Sequence, residues 1–210
     1  MDYKEIEQAM ADLDEDVVMD AMNAIMDNGG EGVQDALDAM QKGIQTVGEL
    51  FESGEYFVGD LIYAGEIMSG AMDVIRPALS GDGSQKKGRM ILCTVKDDLH
   101  DIGKNIVKAM LEAGGFEVLD LGIDVAPEDI VAKAKEENIN IIALSGVLTL
   151  ALDSMKDTIE AFKAAGLRDN VHIIVGGAPV SEEAAKMMGA DDWAYSPQKT
   201  VNVCTQWAAA

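Results

Sequence analysis

Cysteine, histidine, proline and aromatic residues are all scarce in this 210-residue sequence: two, two and four of the first three, and 5% of the last. Cys93 and Cys204 make neither a disulfide framework nor a C-x-x-C pair, so a reducing, cytoplasmic setting is expected and Cys93 reads as a small core residue of a buried strand. No apolar run reaches the roughly 18 residues needed to span a bilayer. The acidic, amphipathic start MDYKEIEQAMADLDED does not read as a signal peptide. Positive charge is also short. Sixteen Lys and Arg face 38 Asp and Glu, a net charge of −22, which excludes nucleic acid and anionic membranes as expected partners. What is present is a 48% hydrophobic composition with a mean hydropathy of +0.04, the balance of a chain that can build a core. Its 13 methionines read as flexible core filler.

Two rhythms divide the chain. Up to about residue 80 the spacing is helical: Glu5 to Leu13, Glu15 to Met26, Val33 to Phe51 and Val58 to Leu79. Apolar residues at 33, 37, 40, 44, 47 and 51 mark the third helix as amphipathic. Four helices with short connections predict a small bundle. The polar, glycine-rich segment SGDGSQKKG, residues 80–88, reads as a linker. Beyond it, strand candidates at 89–95, 116–120, 140–145, 171–175 and 192–194 alternate with helix candidates at 102–113, 127–137, 153–165, 181–188 and 198–208. That alternation predicts a parallel sheet covered on both faces, with ligands beyond the C-terminal strand ends. The expected domains are therefore 1–85, helical, and 88–210, α/β.

The first strand runs into TVKDDLHDIGKNIV, residues 94–107, where a histidine sits among aspartates. Alternate residues of an extended loop project to one side, so Asp98 can accept a hydrogen bond from one imidazole nitrogen of His100 and leave the other as base or metal ligand. Gly103 permits close approach at the helix start. The plain alternative is a solvated His100 beside Asp101, an acidic residue favouring the helix N-terminus. A magnesium phosphoacceptor pocket wants an aspartate closing the third strand, and here that strand ends in Ser145-Gly146. A zinc or iron site needs further soft or imidazole ligands, and the other histidine, His172, occupies a plain strand position. The third strand ends in SGVLT (145–149) and the fourth in GGAP (176–179). Small residues at these ends, beside His100, describe a slot for a long or flat ligand.

These residues resemble a known family. Asp98-Leu99-His100-Asp101-Ile102-Gly103, then Ser145-Gly146-Val147, then Gly176-Gly177 are similar to the D-x-H-x-x-G … S-x-L … G-G signature of cobalamin-binding proteins. Here 41 residues separate Gly103 from Ser145, and 28 separate Val147 from Gly176. EYFVGDLIYAGEIM (55–68) resembles the helical cap of methionine synthase and of the corrinoid proteins of anaerobic methyltransferase systems.

The resemblance implies a four-helix cap followed by a flavodoxin-like, five-stranded parallel α/β domain that binds a corrinoid such as methylcobalamin. It implies His100 as lower cobalt ligand, Asp98 as its hydrogen-bond partner, and a nucleotide tail passing Ser145, Thr149, Gly176 and Gly177. Phe57 and Leu61 would lie over the upper face. Val147 stands where the signature has leucine, Gly59 where the cap has proline, and Ala151 where methionine synthase has a serine. The implied role is a methyl carrier between a substrate:corrinoid methyltransferase and a second methyltransferase whose acceptor is tetrahydrofolate or coenzyme M, with a reductive activase as third partner. The small subunit of an adenosylcobalamin-dependent mutase and a cobalamin-dependent sensor are the alternatives.

Overall fold

The computed structural model describes residues 2–79 and 87–209. Most of the expected linker, residues 80–86, lies outside the described residues. The chain divides into two compact units, one holding the N-terminal helices and the other beginning at Lys87, with the turn Ala113–Gly115 grouped with the first.

The first unit holds α1 (Tyr3–Ala11), α2 (Glu15–Asp27), α3 (Val33–Ser53) and α4 (Val58–Leu79). Asp2 and Asp14 accept main-chain N–H groups at the starts of α1 and α2, satisfying donors that a helix cannot bond internally. The first helix begins two residues before its apolar pattern because Asp2 supplies this cap. Helix α1 packs on α3, and α2 and α3 on α4. The α1–α3 approach is close enough that a Cβ on Gly43 would sit 2.6 Å from the Glu7 carbonyl oxygen, so that position requires glycine. Met10, Met22 and Met40 are fully buried, as the spacing of methionine predicts.

The second unit runs β1 (Gly88–Val95), α5 (Ile102–Ala113), β2 (Phe116–Val125), α6 (Pro127–Glu137), β3 (Ile141–Ser145), α7 (Ala151–Ala164), a 3-10 turn at Arg168–Asn170, β4 (His172–Gly176), α8 (Glu182–Met188), β5 (Asp192–Ala194) and α9 (Pro197–Ala208). The five strands are parallel in the order β2-β1-β3-β4-β5, the flavodoxin-like order. Ile91, Cys93 and Val95 join Ile142, Leu144, Ile173 and Val175 in a core with α6, α7 and α8. The alternate residues Met90, Leu92, Thr94, Ala143 and Ile174 are equally buried, so both faces of the sheet are covered. Burial pushes the Cys93 thiol up to about 12, with Asp120 adding to it. It is an inert core residue.

Strand β2 is five residues longer than its pattern predicts. The β1–β2 register shifts between Leu92 and Cys93, where the partner moves from Asp120 to Gly122, and this bulge breaks the alternation on which a sequence reading depends. His172, at the start of β4, stacks on Trp207 of α9 with centroids 5.0 Å apart. It belongs to the opposite end of the sheet from His100.

A buried ion pair ties α5 to the bulge. Lys104 is 3% exposed; its Nζ lies 2.5 Å from Asp120 Oδ2 and 2.8 Å from Asn105 Oδ1. Asp120 Oδ1 accepts the Gly122 N–H at 2.9 Å. Burial raises the Asp120 carboxyl, but the hydrogen bonds from Lys104 and Gly122 outweigh it and hold it below its ordinary value. A folded-state value below the unfolded one means the pair contributes at neutral pH and fades as pH falls through the carboxylate range. Lys104→Met should therefore cost about 3 kcal/mol in urea unfolding at pH 7, with Lys108 at 3.7 Å offsetting part of it, and less at progressively lower pH. An equal loss at every pH would show that packing, not charge, carries the contact. At Gly177, φ is +124° and a Cβ would overlap the Gly146 carbonyl oxygen at 1.8 Å. Gly177→Ala should destabilise by about 3 kcal/mol, the sum of backbone strain and overpacking, read by the same titration.

Candidate functional site

The strand order reverses between β1 and β3: the chain leaves β1 for β2 on one side, then returns to add β3, β4 and β5 on the other. The C-terminal edge at such a reversal is where crossover loops part and leave a crevice. The β1–α5 loop, residues 96–101, and the β3–α7 loop, residues 146–150, both open there.

Asp98 joins the two loops. Its side chain is 0% exposed, and all its acceptor capacity is used. Oδ1 takes the His100 main-chain N–H at 3.0 Å and faces His100 Nδ1 at 2.7 Å. Oδ2 takes the N–H groups of Val147 at 2.6 Å and Leu148 at 3.0 Å. Burial works to raise the Asp98 carboxyl, but the N–H groups of Leu148, Val147 and His100, with the imidazole, outweigh it and hold the group well below the usual carboxylate range. A carboxylate only accepts, so Nδ1 carries the hydrogen and the lone pair of a neutral ring sits on Nε2. The His100 side chain is 52% exposed, and Nε2 has no partner among the described residues. The buried Thr94 hydroxyl donates to the His100 carbonyl at 2.9 Å, fixing the main chain behind the ring.

Exposed apolar side chains lie on or directly beside the same loops. Leu99, Ile102, Val147, Leu148 and Leu150 are all exposed, although the adjoining strands bury their apolar residues. Apolar side chains left exposed together on these loops mark a binding surface. Gly103 has nothing within 4 Å of where a Cβ would stand, so the first turn of α5 is open to an approaching ligand.

The remaining expected residues divide by what they touch. Ser145 is half-buried at the end of β3, in register with Thr94 of β1 and Gly176 of β4. Thr149 is exposed in the turn before α7. Asp101 serves the helix: its carbonyl takes the Asn105 N–H at 2.8 Å and its carboxylate the Asn105 side-chain amide at 3.3 Å. Gly176 and Gly177 answer first to the protein's own backbone. A Cβ on Gly176 would lie 3.1 Å from the Ala194 carbonyl oxygen, and Gly177 is crowded by Gly146 as described. Ala151 is buried; Asp98 Oδ2 uses two main-chain N–H groups and no hydroxyl. In the helical unit Phe57 is exposed, whereas Leu61 is buried at 1% and presents no surface. Val58, Ile62 and Tyr63 are the exposed apolar side chains beside Phe57. The sequence reading missed Leu148, whose N–H lies 50 residues from its acceptor, and the exposed apolar side chains of these loops, which interrupted polar loops could have signalled.

A single imidazole nitrogen suits a metal whose other positions are already filled. Among the described residues there is no group of three or more His, Cys, Asp and Glu able to hold a bare ion. An unpartnered His100 nitrogen, exposed apolar side chains on the adjoining loops and an open Gly103 fit a metal carried in a large macrocycle.

Known proteins agree. A B12 binding domain model matches residues 88–201, and a second, also described as a B12 binding domain, matches residues 3–76. A corrinoid protein of Desulfitobacterium hafniense is 37% identical over 96% of this chain and 95% of its own length. Dimethylamine corrinoid protein 1 of Methanosarcina acetivorans is 45% identical over 58% of this chain and 57% of its own. A crystal structure of a cobalamin-binding protein from Desulfitobacterium hafniense superposes with a TM-score of 0.90 at 48% identity, covering 99% of this chain and 98% of that one. The methanol:cobalamin methyltransferase complex of Methanosarcina barkeri has a TM-score of 0.80 at 24% identity over 98% of this chain and 79% of that one, a likeness of fold. Matched from its first helix to its last, the chain belongs to the B12-binding proteins, and its cofactor is a corrinoid.

Proposed function

We propose that this chain is the corrinoid-carrying methyl shuttle of a methyltransferase system, receiving a methyl group with one partner enzyme and surrendering it with another. The observation that carries the reading is the exposed Nε2 of His100, aimed by a fully buried Asp98 at the sheet's switch point. The dimethylamine corrinoid relatives support a methylated amine as donor class, and the methanol:cobalamin methyltransferase complex supports a methyltransferase as partner. When bound, the corrinoid supplies a cobalt centre able to take up and release a methyl group.

The chain's own residues do three things in this reading. His100 offers one nitrogen donor from a half-exposed ring. Asp98 fixes the tautomer and strengthens the donor, because a hydrogen bond from Nδ1–H to a carboxylate leaves more electron density on Nε2. The exposed apolar side chains of Leu99, Ile102, Val147, Leu148 and Leu150 would cover the bound group and keep water from it. With His100 Nε2 committed to the metal it is not available as a base toward a substrate, which supports a donor bound by the partner protein. A reductive activase and the acceptor, tetrahydrofolate or coenzyme M, complete the proposed cycle.

Full-length protein loaded with cob(II)alamin should show nitrogen superhyperfine coupling from His100 in its electron paramagnetic resonance spectrum. His100→Ala should abolish it. A spectrum unchanged by the substitution would remove His100 from the cobalt. For the carrier role, the loaded and reduced protein should give no fast spectral change when mixed by stopped flow with methylamines, methanol or aryl methyl ethers. Adding one cognate methyltransferase should produce it. Saturable turnover by this chain alone would mean that it carries its own substrate site.

A further inference from the structure

We infer that Asp124, at the far end of β2, is a positioning residue that sets the direction of the His100 imidazole, an inference that rests on the cobalt-ligation reading above. Asp124 grips the main chain of the His100 loop twice. Its carboxylate Oδ1 accepts the Asp97 N–H at 2.9 Å, and its own N–H donates to the Asp98 carbonyl at 3.1 Å. Lys96 brings its Nζ to the same Oδ1 at 2.7 Å, with the Asp97 carboxylate at 3.8 Å, so the Asp124 charge has a cation of its own.

The backbone at both ends of this clamp is unusual. Asp97 has φ +65° and Asp124 φ +53°, the left-handed region that costs a non-glycine residue free energy. Four non-glycine residues have positive φ among the described residues: Leu13, Asp97, Asp124 and Asn138. Asn138 simply closes α6, and Leu13 is in the helical unit. The remaining two face each other across one hydrogen bond next to the metal ligand. Strained backbone persists where its surroundings over-determine it, and such places gather at functional sites.

The anchors of the loop are complementary. Val147 and Leu148 hold the Asp98 side chain from the β3–α7 loop, and Thr94 holds the His100 carbonyl. The Asp124 carboxylate is the side-chain anchor on the β2 side, at Asp97, immediately before the residue that orients the ring. Without it, residues 96 and 97 lose their side-chain anchor, Asp98 keeps only its main-chain bonds to Val95 and residue 124 on this flank, and the ring direction is less tightly set. Asp124 is itself exposed, so its side chain can be removed without opening the core.

Asp124→Gly removes the carboxylate and suits φ +53°, so the cofactor-free variant should melt close to the parent. Asp124→Ala, made alongside, reads the same loss with the opposite backbone cost. In the cob(II)alamin-loaded full chain, the ratio of histidine-ligated to unligated signal should fall about fivefold in both, the size of one hydrogen bond. Asp124→Asn, which retains an acceptor and tolerates this backbone, should restore the ratio to within about twofold of the parent by the same scale. An unchanged ratio in Asp124→Gly, with coupling still abolished by His100→Ala, would overturn the inference and leave the ligation reading intact. Failure of Asn to restore the ratio would overturn the hydrogen-bond clamp. Absence of imidazole coupling in the parent protein would overturn the ligation reading, and this inference with it.

Discussion

The carboxylate of Asp98 is the point on which this site depends. Burying a charge without partners costs several kcal/mol, and here the cost is offset by four N–H donors from two different crossover loops. Each donor therefore contributes twice: it stabilises the carboxylate, and it fixes the loop that supplies it. The imidazole is one of the four, so the orientation of His100 follows from satisfying Asp98. A protonated or missing carboxylate would release both loops together.

This arrangement explains why the rest of the sheet edge is built as it is. For Val147 and Leu148 to aim their N–H groups at Oδ2, the end of β3 must lie close to the end of β4. The Gly146 N–H bonds the Gly176 carbonyl at 3.1 Å, and Gly177 has no room for a side chain beside the Gly146 carbonyl. On the other flank, the bulge at Gly122 lengthens β2 until Asp124 reaches the His100 loop, and Lys104 locks the following helix to the same strand. The side-chain functions are few; most of the work of positioning falls to main-chain donors and the ion pairs that hold them.

Much of this was legible in the amino-acid sequence for reasons of range. Helical stripes and strand runs are local patterns, so the four-helix unit, the five strands and their alternation can be read from neighbouring residues. The cluster Asp98 to Gly103 is contiguous, and the Asp98–His100 bond spans only two positions. The uniform apolar character of α4 hid which residues face outward. Leu61 and Phe57 look equally suited to a surface in the sequence, and only packing separates the buried one from the exposed one.

By itself, then, the sequence determined the two-unit organisation, the parallel α/β class and a histidine paired with an aspartate at a strand end. Tertiary structure alone decided what that pair is held by. The partners of Asp98 in the β3–α7 loop lie 49 and 50 residues away and act through main-chain N–H groups, which every residue but proline has and no sequence pattern marks. Asp97 and Asp124 meet from 27 positions apart, each in a backbone conformation that composition does not reveal. Gly177 reads in sequence as room for a ligand, whereas the fold uses it for the approach of two strand ends. Side-chain chemistry is written along the chain, but the hydrogen bonds that aim it belong to groups common to all residues, and only the fold selects which of them meet.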